Sequence, residues 1–153
     1  MSILKPYKIK MEIPLPFVMQ KINFPSNANN VRLVEKLVDD VCAEIGVNEE
    51  KYGNILIALT EAVNNAIHHG NLLNPEKITT VQCKQNNQKL TFLVKDEGVG
   101  FDYENLPDPT DPENIEKPDG RGIYLMKHLS DELSFENNGS SICLLYTSDA
   151  ADE

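Results

Sequence analysis

Tryptophan is absent from the chain, and Arg32 and Arg121 are its only arginines. With 24 acids against 14 Lys and Arg, the formal charge is −10. That balance leaves no basic patch able to release counterions from a phosphate backbone, so nucleic acid is excluded as a partner. Cysteine is scarce: Cys42, Cys83 and Cys143 form an odd set with no CxxC spacing. They are expected to be reduced core residues of a cytosolic protein rather than a disulfide framework. No stretch approaches the roughly 18 apolar residues of a membrane helix. The opening MSILKPYKIKMEIPLPF lacks the apolar run of a signal peptide, so a soluble, cytoplasmic protein with no membrane partner is expected. No GxxxxGK[ST] motif is present, which removes the P-loop enzymes. His68 and His69 are adjacent and would point about 100° apart on a helix, so they cannot act as a paired metal site.

What is present is enough for one domain: 153 residues, 41% of them hydrophobic and spread along the whole length. Residues 1–17 carry Pro6, Pro14 and Pro16 among alternating Lys, Ile and Met, which suits an extended arm or edge segment, and 1–20 are expected to be an N-terminal extended arm. A short strand around Lys21–Phe24 leads to a helix with apolar residues Val31, Val34, Leu37, Val38, Val41, Cys42 and Ile45, ending at Gly46. A second helix is expected from Asn48, with Glu49 and Glu50 at its positive dipole end and a stop at Gly70. Strands at Ile78–Gln85 and Lys89–Lys95 form a hairpin, followed by the acidic stretch Asp102–Asp119 with its four prolines, a third helix opened by Gly120-Arg121-Gly122, and two final strands. The order β, α, α, β, β, loop, α, β, β predicts an α+β fold. It is a two-layer α/β sandwich with a mixed, mostly antiparallel sheet covered on one face by helices.

Three segments carry chemistry suited to a nucleoside triphosphate. In Glu61-Ala62-Val63-Asn64-Asn65, Glu61 and Asn65 are four residues apart and share a helical face. A carboxylate that can orient or deprotonate a hydroxyl stands there beside an amide oxygen able to ligate a hard cation such as Mg²⁺. At Asp96-Glu97-Gly98-Val99-Gly100, a strand-terminal carboxylate can accept from an exocyclic amine, and the glycines let backbone pass close to a flat ligand. Gly120-Arg121-Gly122 places free backbone N–H groups, a dipole and a cation at a helix start, which together make an anion site.

In their order and spacing, TEAVNNAIHHG, DEGVGF and GRGIYLM resemble the N, G1 and G2 boxes of the GHKL ATPase/kinase superfamily. Within it they are most similar to the bacterial anti-sigma factor serine/threonine kinases. The resemblance covers about Ile22–Ile142, so 21–142 is expected to be the ATP-binding domain and 102–119 its lid. It implies Glu61 as catalytic base and Asn65 as Mg²⁺ ligand. It also implies nucleotide contacts from His69, Asp96, Gly98, Gly100, Gly120, Arg121, Gly122, Ile123 and Ser140, with Asp96 reading adenine. Gly139-Ser140 stands where the family has a Gly-Thr pair, which keeps the hydroxyl.

The implied function is an ATP- and Mg²⁺-dependent serine kinase. It would phosphorylate a small antagonist protein, an anti-anti-sigma factor, bind a sigma factor and assemble as a homodimer. The alternative is a non-catalytic ATP-binding adaptor of the same fold, and Glu61 favours the enzyme because a pure binder needs no carboxylate beside the metal ligand. A complete two-component histidine kinase is not expected, since only about 20 residues precede the first strand. The segment CLLYTSDAADE, 143–153, resembles the translation of a sequencing-library adapter. If it is foreign, the natural last strand is cut after Ile142, although Cys143–Tyr146 are strand-compatible and could continue it. An ordinary acidic C-terminus is the alternative.

Overall fold

The computed structural model describes residues 17–86, 88–102 and 118–147. The expected arm up to Pro16, most of the expected lid and the last six residues of the suspected foreign segment lie outside the described residues. The elements are β1 (Phe17–Pro25), α1 (Arg32–Ile45), α2 (Glu49–Asn65), β2 (Ile78–Asn86), β3 (Lys89–Lys95), α3 (Pro118–Leu129), β4 (Glu132–Glu136) and β5 (Ser141–Thr147). Their order is the expected one.

Among the described residues five strands form one sheet in the order β1-β2-β3-β5-β4, and each pairing is antiparallel. The sheet therefore lies at the purely antiparallel end of what was expected, with no parallel pair among the described residues. β1 is longer than the sequence suggested, because Phe17, Val18 and Gln20 also pair with β2, with a break in register between Val18 and Gln20, and form part of an edge strand. Cys143–Thr147 complete β5 opposite Lys89–Leu93.

The helices start and stop for local reasons. The Asn48 side chain accepts from the Lys51 N–H at 2.8 Å and caps α2, while Gly46 ends α1 at φ 84°, a left-handed conformation that costs glycine little. Val34, Leu37, Val38, Val41 and Cys42 of α1 meet Ile55, Leu59, Ala62 and Val63 of α2 over the alternating inward positions Val81, Cys83, Phe92, Val94, Ile142 and Leu144 of the sheet. Full burial of each large aliphatic residue contributes about 1.5–3 kcal/mol relative to exposure. Desolvation pushes the Cys42 thiol up to about 11 and the Cys83 thiol up to about 12, so both are neutral packing residues; all three cysteines are free. α3 packs chiefly on α2. That contact brings the third expected segment against the first.

Candidate functional site

α2 turns Ala62, Val63, Ala66 and Ile67 into the core and leaves Glu61 and Asn65 half-exposed on its flank. Gly122 of α3 is buried against that flank: a Cβ at Gly122 would stand 2.9 Å from Glu61 Oε1. The expected base and one of the expected phosphate-site glycines are thus in contact. α3 begins at Pro118, two residues before Gly120, because proline is pre-organised for the first helical position and has no N–H to leave unpaired. Gly120 falls in the first turn, where backbone N–H groups lack intrahelical acceptors. Gly122 lies beyond it and serves close helix packing. Arg121 is exposed, and Ile123 is half-buried against the core.

Beyond Asn65 the helix widens into a π-type turn over Ala66–Gly70, which leaves His68 and His69 exposed. Gly70 was expected as a helix stop. Its φ is not positive, and the glycine is needed for space instead, because a Cβ there would overlap the Asp96 carboxylate.

Asp96 follows the last residue of β3. Its N–H donates to the Ser140 carbonyl at 3.0 Å, and its Oδ1 accepts from the Gly98 N–H at 2.8 Å. Burial raises its carboxyl above the ordinary carboxylate value, with the Gly98 N–H and the Lys77 charge acting in the opposite sense. The Ser140 hydroxyl donates to Asn137 O at 2.9 Å within its own turn. Gly98 and Gly100 were expected to admit a flat ligand, yet both are used for contact between backbones. A Cβ at Gly98 would overlap the Gly70 carbonyl, and one at Gly100, where φ is 89°, would overlap the Asn138 carbonyl. Phe101 then donates its N–H to Asn138 O at 2.8 Å and stacks edge-on against Phe135 at 5.5 Å, anchoring the entry to the expected lid.

Sequence reasoning missed the buried polar group Ser26, Asn71 and Thr79 behind this turn. Asn71 accepts from the Glu97 N–H at 2.7 Å and donates to Ser26 Oγ at 2.7 Å, so it joins β1, β2 and the Asp96 turn. No periodicity could have flagged it, because the helical pattern ends at Gly70.

A profile of the histidine kinase-like ATPase domain matches residues 24–146. The chain belongs to this family. Its curated relatives include an anti-sigma F factor of Clostridium novyi, 28% identical over 131 residues that span 81% of this chain and 90% of the relative. They also include the serine-protein kinase RsbW of Staphylococcus epidermidis, 27% identical over 82% of this chain and 84% of the relative. Among crystal structures, the RsbU and RsbW domains of Rv1364c from Mycobacterium tuberculosis share the fold, with a TM-score of 0.59 at 18% identity. That match covers 84% of this chain and 32% of the other, so the chain spans about a third of that protein.

The residues of this ATPase-family domain fit the groups the fold implies. Asp96 retains acceptor capacity for an amine after its bond from Gly98. Asn65 offers a hard oxygen donor of the kind Mg²⁺ takes singly beside phosphates and waters. Among the described residues no three His, Cys, Asp or Glu side chains converge as a dedicated metal cage.

Proposed function

We propose that the protein is an ATP- and Mg²⁺-dependent serine kinase of the anti-sigma type. It phosphorylates an anti-anti-sigma-like protein, binds a sigma factor, and works as a cytoplasmic homodimer. The observation that carries the reading is the contact of Glu61 with Gly122. It supports the reading because a carboxylate beside the helix that carries Gly120 and Arg121 is useful for moving a hydroxyl proton and is of no use to a pure binder.

In this reading Asp96 accepts from the adenine amine. Glu61 orients the partner's serine hydroxyl and takes its proton as Oγ attacks the γ-phosphorus and ADP leaves. Gly120 N–H and Arg121 stabilise the charge of the transferred group, and Asn65 would hold the metal. Mg²⁺, when bound, neutralises charge on the phosphate oxygens. Names of relatives at 26–28% identity, serine-protein kinase and anti-sigma F factor, support this class. Among the described residues no helix is long and apolar enough to cross a membrane.

The test is incubation with Mg²⁺, labelled ATP and an anti-anti-sigma-like protein encoded nearby. Phosphoserine on the partner, lost in Glu61→Ala, is the expected result. ATP binding without transfer would select the adaptor instead.

A further inference from the structure

We propose that Asn71 is a positioning residue for nucleotide recognition, setting the backbone on both sides of the Glu97 peptide so that Asp96 meets the adenine amine. The inference rests on the nucleotide reading above.

Asn71 is fully buried, and its side-chain amide spans three segments. Nδ2 donates to Ser26 Oγ at 2.7 Å and to the Ile78 carbonyl at 3.1 Å, with Thr79 Oγ1 at 3.4 Å. Oδ1 accepts from the Glu97 N–H at 2.7 Å. The Glu97 N–H can only donate and the Ile78 carbonyl can only accept, so these two partners fix which way the amide faces. Ser26 is itself held, donating to Lys77 O at 2.7 Å and sharing a 2.9 Å bond with Thr79 Oγ1. Asn71 therefore rests on a satisfied buried network, which is rigid for that reason.

What it holds is the peptide that follows Asp96. The Asp96 N–H is fixed by Ser140 O, and the next N–H, that of Glu97, is fixed by Asn71 Oδ1. With the amides on either side of its α-carbon pinned, Asp96 has little backbone freedom left. Glu97 is also tied from its other end, where Oε1 accepts from the Ile78 N–H at 2.8 Å. The carboxylate is set with Oδ1 on the Gly98 N–H and Gly70 packed against it. A hydrogen bond reads an amine only when its acceptor is placed to within a few tenths of an ångström, and Asn71 supplies that placement without touching the ligand.

A residue that merely closed the loop after Gly70 would affect stability and leave base choice alone. The full chain is therefore titrated calorimetrically, with Mg²⁺, against ADP and against inosine diphosphate, whose ring has a carbonyl oxygen in place of the amine. The wild type is expected to prefer ADP by about tenfold or more. Asn71→Ala should reduce that preference to below about threefold, and in the nucleotide-free protein it should speed hydrogen exchange at the Glu97 and Gly98 amides. Ser26→Ala, which takes away one partner of Asn71 and spares the bond to Glu97, should reduce the preference by a smaller factor, and it decides the matter if Asn71→Ala does not fold. If the wild type prefers ADP and the folded variants keep the whole preference, the positioning role is overturned while the nucleotide site stands. Binding of neither nucleotide by the wild type, or of both equally, would remove the reading of Asp96 and the inference with it.

Discussion

Gly70, at the end of the second helix, packs so tightly against Asp96, just past the third strand, that a single added carbon would overlap the carboxylate. The helix end and the strand end are thus locked together by the absence of a side chain. Gly70→Ala should displace Asp96 and weaken ADP binding by about tenfold or more, the usual scale of an overpacking strain. Calorimetric titration checks it, and wild-type affinity in the variant would show that Asp96 does not read the base.

Asp96 should also cost the folded protein stability. Its carboxyl binds a proton more tightly in the folded chain than in the unfolded one, because burial disfavours the charged form. The sign follows from linkage. Above the folded value the unfavourable charge is fully present, and below the unfolded value of about 3.9 both states are protonated and the cost is gone. Asp96→Asn should therefore raise the melting temperature of the nucleotide-free protein at pH 7, with the gain shrinking as pH falls toward 4. It should weaken ADP binding at the same time. A melting temperature unchanged or lowered at pH 7 would contradict the direction of the shift.

Glu61 and Gly122 make a separable test of catalysis. Glu61→Ala should lower phosphoryl transfer by about 10²–10⁴-fold with little change in ATP binding. In Gly122→Ala the new methyl meets the flexible end of Glu61 at 2.9 Å, so the carboxylate moves and the backbone need not. Alanine is the better helix former, so this variant should melt no lower than wild type while losing about tenfold or more in transfer rate. The double variant should be no worse than Glu61→Ala alone, because both changes act through one carboxylate. Additive losses would mean that Gly122 contributes independently.

What the sequence reveals and what it hides divide along physical lines. Apolar residues at helical spacing, Val34 to Cys42 and Ile55 to Val63, mark the first two helices because burial on one face demands that period. The alternation Leu90, Phe92, Val94 likewise leads directly to Asp96 at a strand end. The edge strand is underestimated over Phe17–Gln20, since an edge needs only one paired side and little apolar pattern. Roles that depend on contacts between distant segments leave no periodic trace. Gly98 is required by the Gly70 carbonyl, Gly122 by Glu61 and Asn71 by Glu97, and in each case the partner is set by the fold rather than by neighbouring residues.

Tyr146 provides a prediction about the last strand that is independent of any ligand. Its ring is buried and packs edge-on against Phe92 at 6.1 Å, but among the described residues its hydroxyl has no hydrogen-bond partner. Desolvation, reinforced by the Asp131 charge, raises its ionisation far above that of an ordinary tyrosine, so the group stays a neutral donor at physiological pH. An unpaired buried hydroxyl costs roughly 1–3 kcal/mol, whereas the ring contact does not depend on the oxygen. Tyr146→Phe should therefore stabilise the fold by about 1 kcal/mol, read as a higher denaturant midpoint at unchanged slope. Tyr146→Ala should instead destabilise it by about 3–5 kcal/mol through the cavity left beside Phe92. If the phenylalanine variant unfolded at a lower denaturant concentration than wild type, the hydroxyl would have a partner in solution and the strand would be better satisfied than its geometry indicates.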